Sequence, residues 1–456
     1  MSYCALYRQQ PGKISDVFDE LAYSVPTFNA AEQDTFPLHA YIIFKLGDII
    51  AVEKFLNIKG HNAIYPCRSC KIKAVCGLGK THYVSLRPPK DGGPTRARTI
   101  WQPDNLPLRR HHDFIDTVTQ LHAATTKIAK ERIAKQTGIK DLPAMHRVGS
   151  LDYAQSVPWE WFHLLLENII PNLVDFWTGW FKDLDSGTED FEIAPHIWEE
   201  VGKEIAAAVQ HIPASFVHVL SNIASDRSLF TAESWCFWFI YLAPKLLENR
   251  FTRAKYYKHM CELAEIMQIT LQFSITVKQV DEVEKWLIQW VEKYEKYYYQ
   301  YRVERLPACT LTIHGLLHLG AGIKNCSPVW TTWTFYMERF CGMLQNSLRS
   351  QSRPWSNLNN SLLHMAYLEQ LGVCYDLSDE LGQLDDQPDD GPIGYERVVD
   401  GYPGHVLRPP YKTPRGIDPE LQQKIANYIG QVLGKRSSEV KPHLPPVSFL
   451  AGKLRI

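Results

Sequence analysis

From Pro158 to about Gln345, apolar residues recur at helical spacing almost without a break, which restricts the chain to a fold dominated by packed helices. In VKQVDEVEKWLIQWVEKYEKYYYQY, Val280, Val283, Trp286–Leu287, Trp290–Val291, Tyr294 and Tyr297–Tyr298 share one face. The most apolar stretch, SWCFWFIYLAP, has the length of a buried core helix. It falls short of the roughly 18 uncharged apolar residues that a membrane-spanning helix needs. No internal repeat of fixed period appears, which argues against a solenoid. With 456 residues, 45% hydrophobic and 12% aromatic, the chain can fill large cores in two or three domains.

Outside the helical run the pattern changes. Residues 38–47, LHAYIIFKLG, read as a short buried strand or the front of a helix. Gly47 and the β-branched pair Ile42–Ile43 favour a strand ending at Asp48, followed by a helix over Ile49–Ile58 that Gly60 closes. Residues 85–110, rich in proline, glycine and arginine, read as a loop. After Tyr375 come an acidic segment, DLSDELGQLDDQPDDGPIG, and a basic, proline-rich one, LRPPYKTPRG. A last amphipathic helix is predicted from Asp418–Pro419, burying Leu421, Ile425, Tyr428–Ile429 and Val432–Leu433. The net charge of −1 gives no overall basic field, a point against a complete DNA-binding protein. Ten irregularly spaced cysteines, and no apolar core in MSYCALYRQQPGK, lead us to expect reduced thiols in nucleus or cytosol.

Four groups of residues carry candidate chemistry. Asp48 ends an apolar run, where an aspartate is either a turn or cap residue or a Mg²⁺ ligand at a strand end. Cys67 and Cys70 form a C-x-x-C in PCRSCKIK, a spacing that lets two thiolates hold one tetrahedral Zn²⁺; nearby histidines, His82 and His111 among them, could complete the set. In PWEWFHLLLENIIPNLVDFW a 100° projection puts Phe162, Leu165, Leu166, Ile169, Leu173, Phe176 and Trp177 on one arc. Glu160, His163 and Glu167 fall on the opposite arc, as a solvated face or as a histidine oriented by acids. In WTTWTFYMERFCGMLQNSLRS, Trp333, Tyr336, Met337, Phe340, Met343 and Leu344 share a face, and Glu338, Gly342, Gln345 and Arg349 line the other. There Gly342 would admit a close backbone and Arg349 a phosphate, unless the face is merely an exposed stripe.

Several segments in order carry a resemblance: FPLHAYIIFKLGDIIAVEKFLNIKGHNAIYPCRSCKI, THYVSL, LPLRRHHDF, VPWEWFHLLLENIIPNLVDFWTG, LFTAESWCFWF, YEKYYYQYRVERL, IHGLLHLGAGI, SPVWTTWTFYMERFCGML and GKLRI. From about Gly12 to its end the chain resembles the transposase of CACTA (En/Spm-type) DNA transposons, in the branch found in mushroom-forming fungi. The resemblance implies a cut-and-paste transposase with a ribonuclease-H-like domain, an Asp-Asp-Glu set and Mg²⁺, acting on transposon-end DNA. The family's GDIPA segment puts its second aspartate on Asp48. Its D-x-x-H helix falls on EWFH, with His163 matching and Glu160 standing where aspartate is usual. Related transposases insert a large helical domain before the last glutamate, which favours Glu338 in MERFCG, with Glu167 as rival. The zinc-like positions carry over to Cys67 and Cys70.

The family's first aspartate and opening strands lie upstream of the segment matching GKISDVFDELAYSV, so the resemblance implies a chain truncated at its N-terminus and inactive alone in strand transfer. Asp16 and Asp19, in an expected helix, do not replace that aspartate. The fold class expected is mainly α with a small α/β remnant, an incomplete ribonuclease-H-like core interrupted by an all-helical insertion. The expected division is a helical remnant over 1–37, the partial core over 38–150 and the insertion over 151–330. A helix returning to the core over 331–375, a linker over 376–416 and a C-terminal helix and tail over 417–456 complete it. The alternatives in function are a non-enzymatic nuclear protein co-opted to bind DNA or partner subunits, homo-oligomers included, and an expressed relic. No membrane and no small-molecule substrate are expected.

Overall fold

The structure is a computed structural model that describes 41–346 apart from 78, 80, 91–98, 185–186, 188, 210–211, 213–216 and 218–219, together with 25–29 and 34–38. Beyond 346 it describes 348, 354–375, 377, 397–399, 402–408, 415–416, 419, 422–427, 436–443, 447–448 and 453–455. The chain divides into two compact units, Met1–Asn346 and Ser347–Ile456. The described residues are mainly helical.

The helical run behaves as its periodicity demands. Thr276 caps the helix Val277–Tyr294 through a reciprocal box with Gln279, and Val280, Val283, Leu287, Trp290, Val291 and Tyr294 are buried. The apolar SWCFWFIYLAP stretch is indeed core: Trp235, Trp238, Phe239, Ile240 and Ala243 are all buried. Each such side chain contributes roughly 1.5–3 kcal/mol on leaving water. Two helices of this run widen to π geometry just before a proline, over Phe162–Ile169 ahead of Pro171 and over Trp238–Leu242 ahead of Pro244. Proline lacks the donor for the i−4 carbonyl and its ring would collide with it; a wider turn relieves both.

The strand content is slight. Val25–Asn29 and Asp34–Leu38 pair antiparallel, so the described part of 1–37 is a hairpin where a helical remnant was expected. Asp16 and Asp19 lie outside the described residues. The strand expected to end at Asp48 is not formed: 41–48 has no regular structure. The helix that follows runs Ile49–Phe55, shorter than expected, because the chain turns at Asn57 with φ 54° before Gly60 at φ 91°. Among the described residues, sheets are short antiparallel sets, and no ribonuclease-H-like sheet is present.

Two cores organise the first unit, and they cut across the expected domain boundary. One joins Val52, Phe55 and Leu56 to Phe114, Val118, Ile139 and residues up to Val157. The other joins Cys67, Cys70, Ile72, Val84 and Leu86 to the helices between Trp159 and Val329. The C-x-x-C segment is therefore built into the helical core. In the second unit, Arg397–Val399, Tyr402–Arg408 and Lys453–Arg455 form a three-stranded sheet where a linker and a tail were expected. Of the predicted C-terminal helix, 422–427 is helical; Leu421, Tyr428–Ile429 and Val432–Leu433 lie outside the described residues.

Candidate metal centre and carboxylate cluster

Cys67 and Cys70 are fully buried, and the fold brings His314 and His318 onto them from about 250 residues away. The two histidines sit four apart on consecutive helical turns, Leu311–Gly315 and Leu316–His318, so both rings leave the same side. Cys67 Sγ lies 3.5 Å from His318 Nε2, Cys70 Sγ 3.2 Å from His314 Nε2, and the two Nε2 atoms 3.1 Å apart. All four donor atoms fall within 4.8 Å of one another. A tetrahedral zinc with bonds of about 2.3 Å to sulfur and 2.0–2.1 Å to nitrogen has edges of about 3.3–3.8 Å. The four residues fit such an ion and could hold it.

The surroundings favour thiolate at this place. The backbone N–H groups of Ser69 and Cys70 point at Cys67 Sγ, at 3.3 and 3.4 Å. Burial opposes ionisation of Cys67, yet Cys70 donating to it and the flanking His318 and His314 hold its thiol well below the usual range. Burial, and the Cys67 thiolate beside it, push Cys70 well up. His314 is pulled down chiefly by burial. A bound dication would favour the thiolate of both cysteines and displace the remaining proton. Arg109 braces the loop, donating to the carbonyls of Cys67 (2.9 Å) and Thr137 (2.8 Å). Gly315 lets Trp159 approach, since a Cβ there would lie 2.6 Å from its ring, and Trp159 in turn donates to Ser69 Oγ at 3.0 Å.

His82 and His111 are not members of this group. His82 pairs with Cys76 in a two-residue strand, and His111 stacks on Tyr153 at 4.5 Å while accepting from the Tyr153 N–H. The sequence signal for the true partners was H-x-x-x-H within the apolar segment IHGLLHLG. Two histidines at i, i+4 complement one cysteine pair, wherever in the chain they lie.

The second constellation is built on the turn into the Phe162–Ile169 helix. Glu160 is buried at 3% exposure, away from the solvated face that its periodicity suggests. Its carboxylate accepts from the N–H groups of Phe162 (3.1 Å) and His163 (2.8 Å), as a cap, and from Thr334 N–H (3.0 Å) at the mouth of the Phe335–Asn346 helix. It also meets His163 Nδ1 at 2.6 Å. That bond directs the other ring nitrogen outward, where Nε2 lies 3.7 Å from Glu167 and 3.8 Å from Glu338. The lost hydrogen bond of a π turn is made good locally by Asn168 donating to the His163 carbonyl.

The charges of Glu338, Glu160 and Asp48 all reach Glu167. Burial pushes Glu167 up, and the like charges of Glu338, Glu160 and Asp48 add to this against the pull of His163. Burial disfavours the His163 imidazolium, but Glu160, by hydrogen bond and charge, with Glu167 and Glu338, carries its pKa above the ordinary value. Asp48 keeps a second task as helix cap, accepting from Ala51 N–H at 2.5 Å. Of the two readings of Asp48, the cap is the one the structure shows. Arg68 stands between the two constellations. It is buried, donates to the Pro158 carbonyl at 2.5 Å, lies 4.2 Å over the Trp159 ring, and feels Cys67, Glu160, Glu53 and Asp48. Burial still lowers its guanidinium to about 10.

The Glu338 helix departs from expectation in detail. Of the residues expected to share the apolar face, Tyr336 and Met343 are exposed while Leu344 is buried. Among the described residues no backbone approaches Gly342; Arg349 lies outside them. No described helix is long and apolar enough to cross a membrane. Comparison with family models, with curated proteins and with solved structures finds no match to this chain.

Proposed function

We propose that this chain is a transposase-derived nuclear protein of the Asp-Asp-Glu class, whose Asp48–Glu167–Glu338 face meets a DNA backbone through a divalent cation, Mg²⁺ in the resembling family. The observation that carries this reading is convergence. Glu160, Glu167 and Glu338, from two segments far apart in sequence, meet at a single histidine, and the charge of Asp48 reaches Glu167. Like charges held together without need would be driven apart; a dication or a nucleic-acid-bound cation gives them a purpose.

The acids offer oxygen donors on an open face, with Glu338 half exposed and Glu167 nearly so, the donor chemistry that a hard cation prefers. A bound cation there would supply charge for activating water or a 3′-hydroxyl and for stabilising the leaving oxygen. The chain's own residues do the rest. Glu160 orients His163 so that Nε2 faces the acids, where, protonated, it donates to a phosphate oxygen. Glu160 also ties the turn carrying His163 to the start of the Glu338 helix through Thr334. The Cys67–Cys70–His314–His318 group, when it holds zinc, would lock the Arg68 segment against the same face.

The resemblance implies no strand transfer by this chain alone. We follow it in assigning the chain alone a role in binding DNA, as transposon-derived protein. The test is calorimetric titration of Mg²⁺ and Mn²⁺, with duplex DNA binding and nicking measured in parallel. Millimolar or tighter cation binding that Glu338→Gln and Asp48→Asn both weaken, with DNA bound and not cut, is the expected result. Cation binding indifferent to both variants overturns the face as a site. Mg²⁺-dependent nicking abolished by Asp48→Asn would instead make the chain an active enzyme.

A further inference from the structure

A cavity of about 620 Å³ opens beside the carboxylate face, between the helical segments around 233–241 and 333–339. That volume lies within the roughly 300–1,000 Å³ that small-molecule sites span. Its walls are flat rings: Phe237, Tyr241, Trp333 and Tyr336, over a floor that includes the buried Trp161. Tyr241 and Tyr336 are exposed at 62% and 54%, a large aromatic area left open to water. Two opposite charges complete the lining, Arg339 and Glu233. Among the described residues Arg339 has no ion-pair partner.

We infer that this cavity receives one unpaired nucleobase of the DNA whose backbone crosses the carboxylate face. The inference rests on the function proposed above and adds to it a site for the base. Aromatic rings stack on any base, and such stacking needs no sequence-specific edge. The guanidinium of Arg339 suits the phosphate attached to that base, and Glu233 accepts from an exocyclic amino group. Continuity with the cation face is built into the chain. Arg339 follows Glu338 on one helix, about 100° round its axis, and Trp161 follows Glu160. Phe335 locks the two segments together, with its ring 4.5 Å from Phe162 and 5.2 Å from Trp333. A base lifted from a duplex lies within a nucleotide or so of its own phosphates, so a backbone at Glu338 leaves its unpaired base beside Tyr336.

The experiment uses the full zinc-loaded chain and duplexes carrying 2-aminopurine, either paired or as a single-nucleotide bulge. The bulged duplex should bind about tenfold tighter, with its fluorescence quenched as the base stacks. Tyr336→Ala and Trp333→Ala should abolish both the preference and the quenching without changing affinity for the paired duplex; Tyr336→Phe should keep both. Because Tyr336 is exposed, its variants should melt with the parent protein. Equal binding of the two duplexes, or a preference that survives both alanine variants, overturns the cavity assignment and leaves the cation face standing. If neither duplex binds but 2-aminopurine riboside monophosphate is quenched by the parent and not by Tyr336→Ala, the cavity stands as a nucleotide site and the DNA reading falls. If neither the duplexes nor that mononucleotide bind, both fall.

Discussion

The cysteine–histidine group and the carboxylate cluster are neighbours in the first unit and opposites in physics. The first is fully buried, with four donors of matched chemistry drawn inward and backbone N–H groups aimed at a sulfur. The second is half open, gathers like charges, and is held by one buried glutamate that spends all its hydrogen bonds on positioning. A closed, self-consistent set of donors is what a structural ion requires; an open set with charges in excess is what a substrate-facing ion requires. The difference predicts that disturbing the first costs more of the fold than disturbing the second, whose exposed acids mainly set what the face binds.

The largest effect should come from the closed group. Stripping metal with a chelator, or making Cys67→Ser or His314→Ala, should cost several kcal/mol, up to about 10, since binding energy at a structural zinc is folding energy. Zinc content by mass spectrometry and the melting temperature should fall together, to one zinc lost per chain. Equal loss from His82→Ala or His111→Ala would break the assignment of ligands, because neither touches the group. The next largest should come from Glu160→Gln, which keeps the shape but removes the charge from four contacts at once. A loss of about 2–4 kcal/mol follows from weakened hydrogen bonds at a buried position. If denaturant unfolding shows less than 0.5 kcal/mol, Glu160 does not hold the two segments together (~0.5 being the usual surface-substitution range).

How much of this was legible beforehand divides along the same line. Helical spacing identified the core around Trp290 and Trp238, because burial on one face of a helix leaves a period in the sequence. The C-x-x-C was legible for the same local reason. Its partners were not, because 244 residues separate Cys70 from His314 and no local pattern says which distant histidines will meet it. Glu160 was misjudged in a more instructive way. Projection assumed an ideal helix from Pro158, whereas the helix starts after Glu160 and opens into a π turn, so the acid becomes a buried cap. The strand before Asp48 did not form although Ile42 packs inward and Ile43 is 66% exposed, as alternation would have it: a strand also needs a partner, and no described strand pairs with 41–48. The short sheets of the second unit were hidden in a segment whose acidic and proline-rich composition resembles a linker.

Protons and cations should compete for the open cluster, which gives a smaller, signed effect. The folded pKa of His163 is raised, so its contribution to stability is complete below the unfolded value of about 6.5 and is lost as pH rises through the folded value. Glu167, also raised, acts in the same direction at lower pH, from about 4.3 upward. Stability should therefore decline as pH rises across this window in Mg²⁺-free buffer, and His163→Gln should flatten the upper part of the decline. A rise with pH in the same window would contradict the cluster. The carboxyls in question would then be stabilised as anions by something other than the histidine.

The smallest effect on stability should be at Glu338, and it carries the sharpest contrast with Cys67. Glu338 is half exposed and faces another acid, so Glu338→Gln removes repulsion and should stabilise the cation-free chain by a few tenths of a kcal/mol at most. Added Mg²⁺ should raise the melting temperature of the parent protein, because a ligand bound only to the folded state adds RT ln(1 + [L]/Kd) to its stability. In Glu338→Gln that increment should shrink while zinc content stays at one per chain. An increment unchanged by the substitution would mean that the acids gather for some reason other than a cation. A zinc content that fell with it would mean that the two constellations are one site and not two.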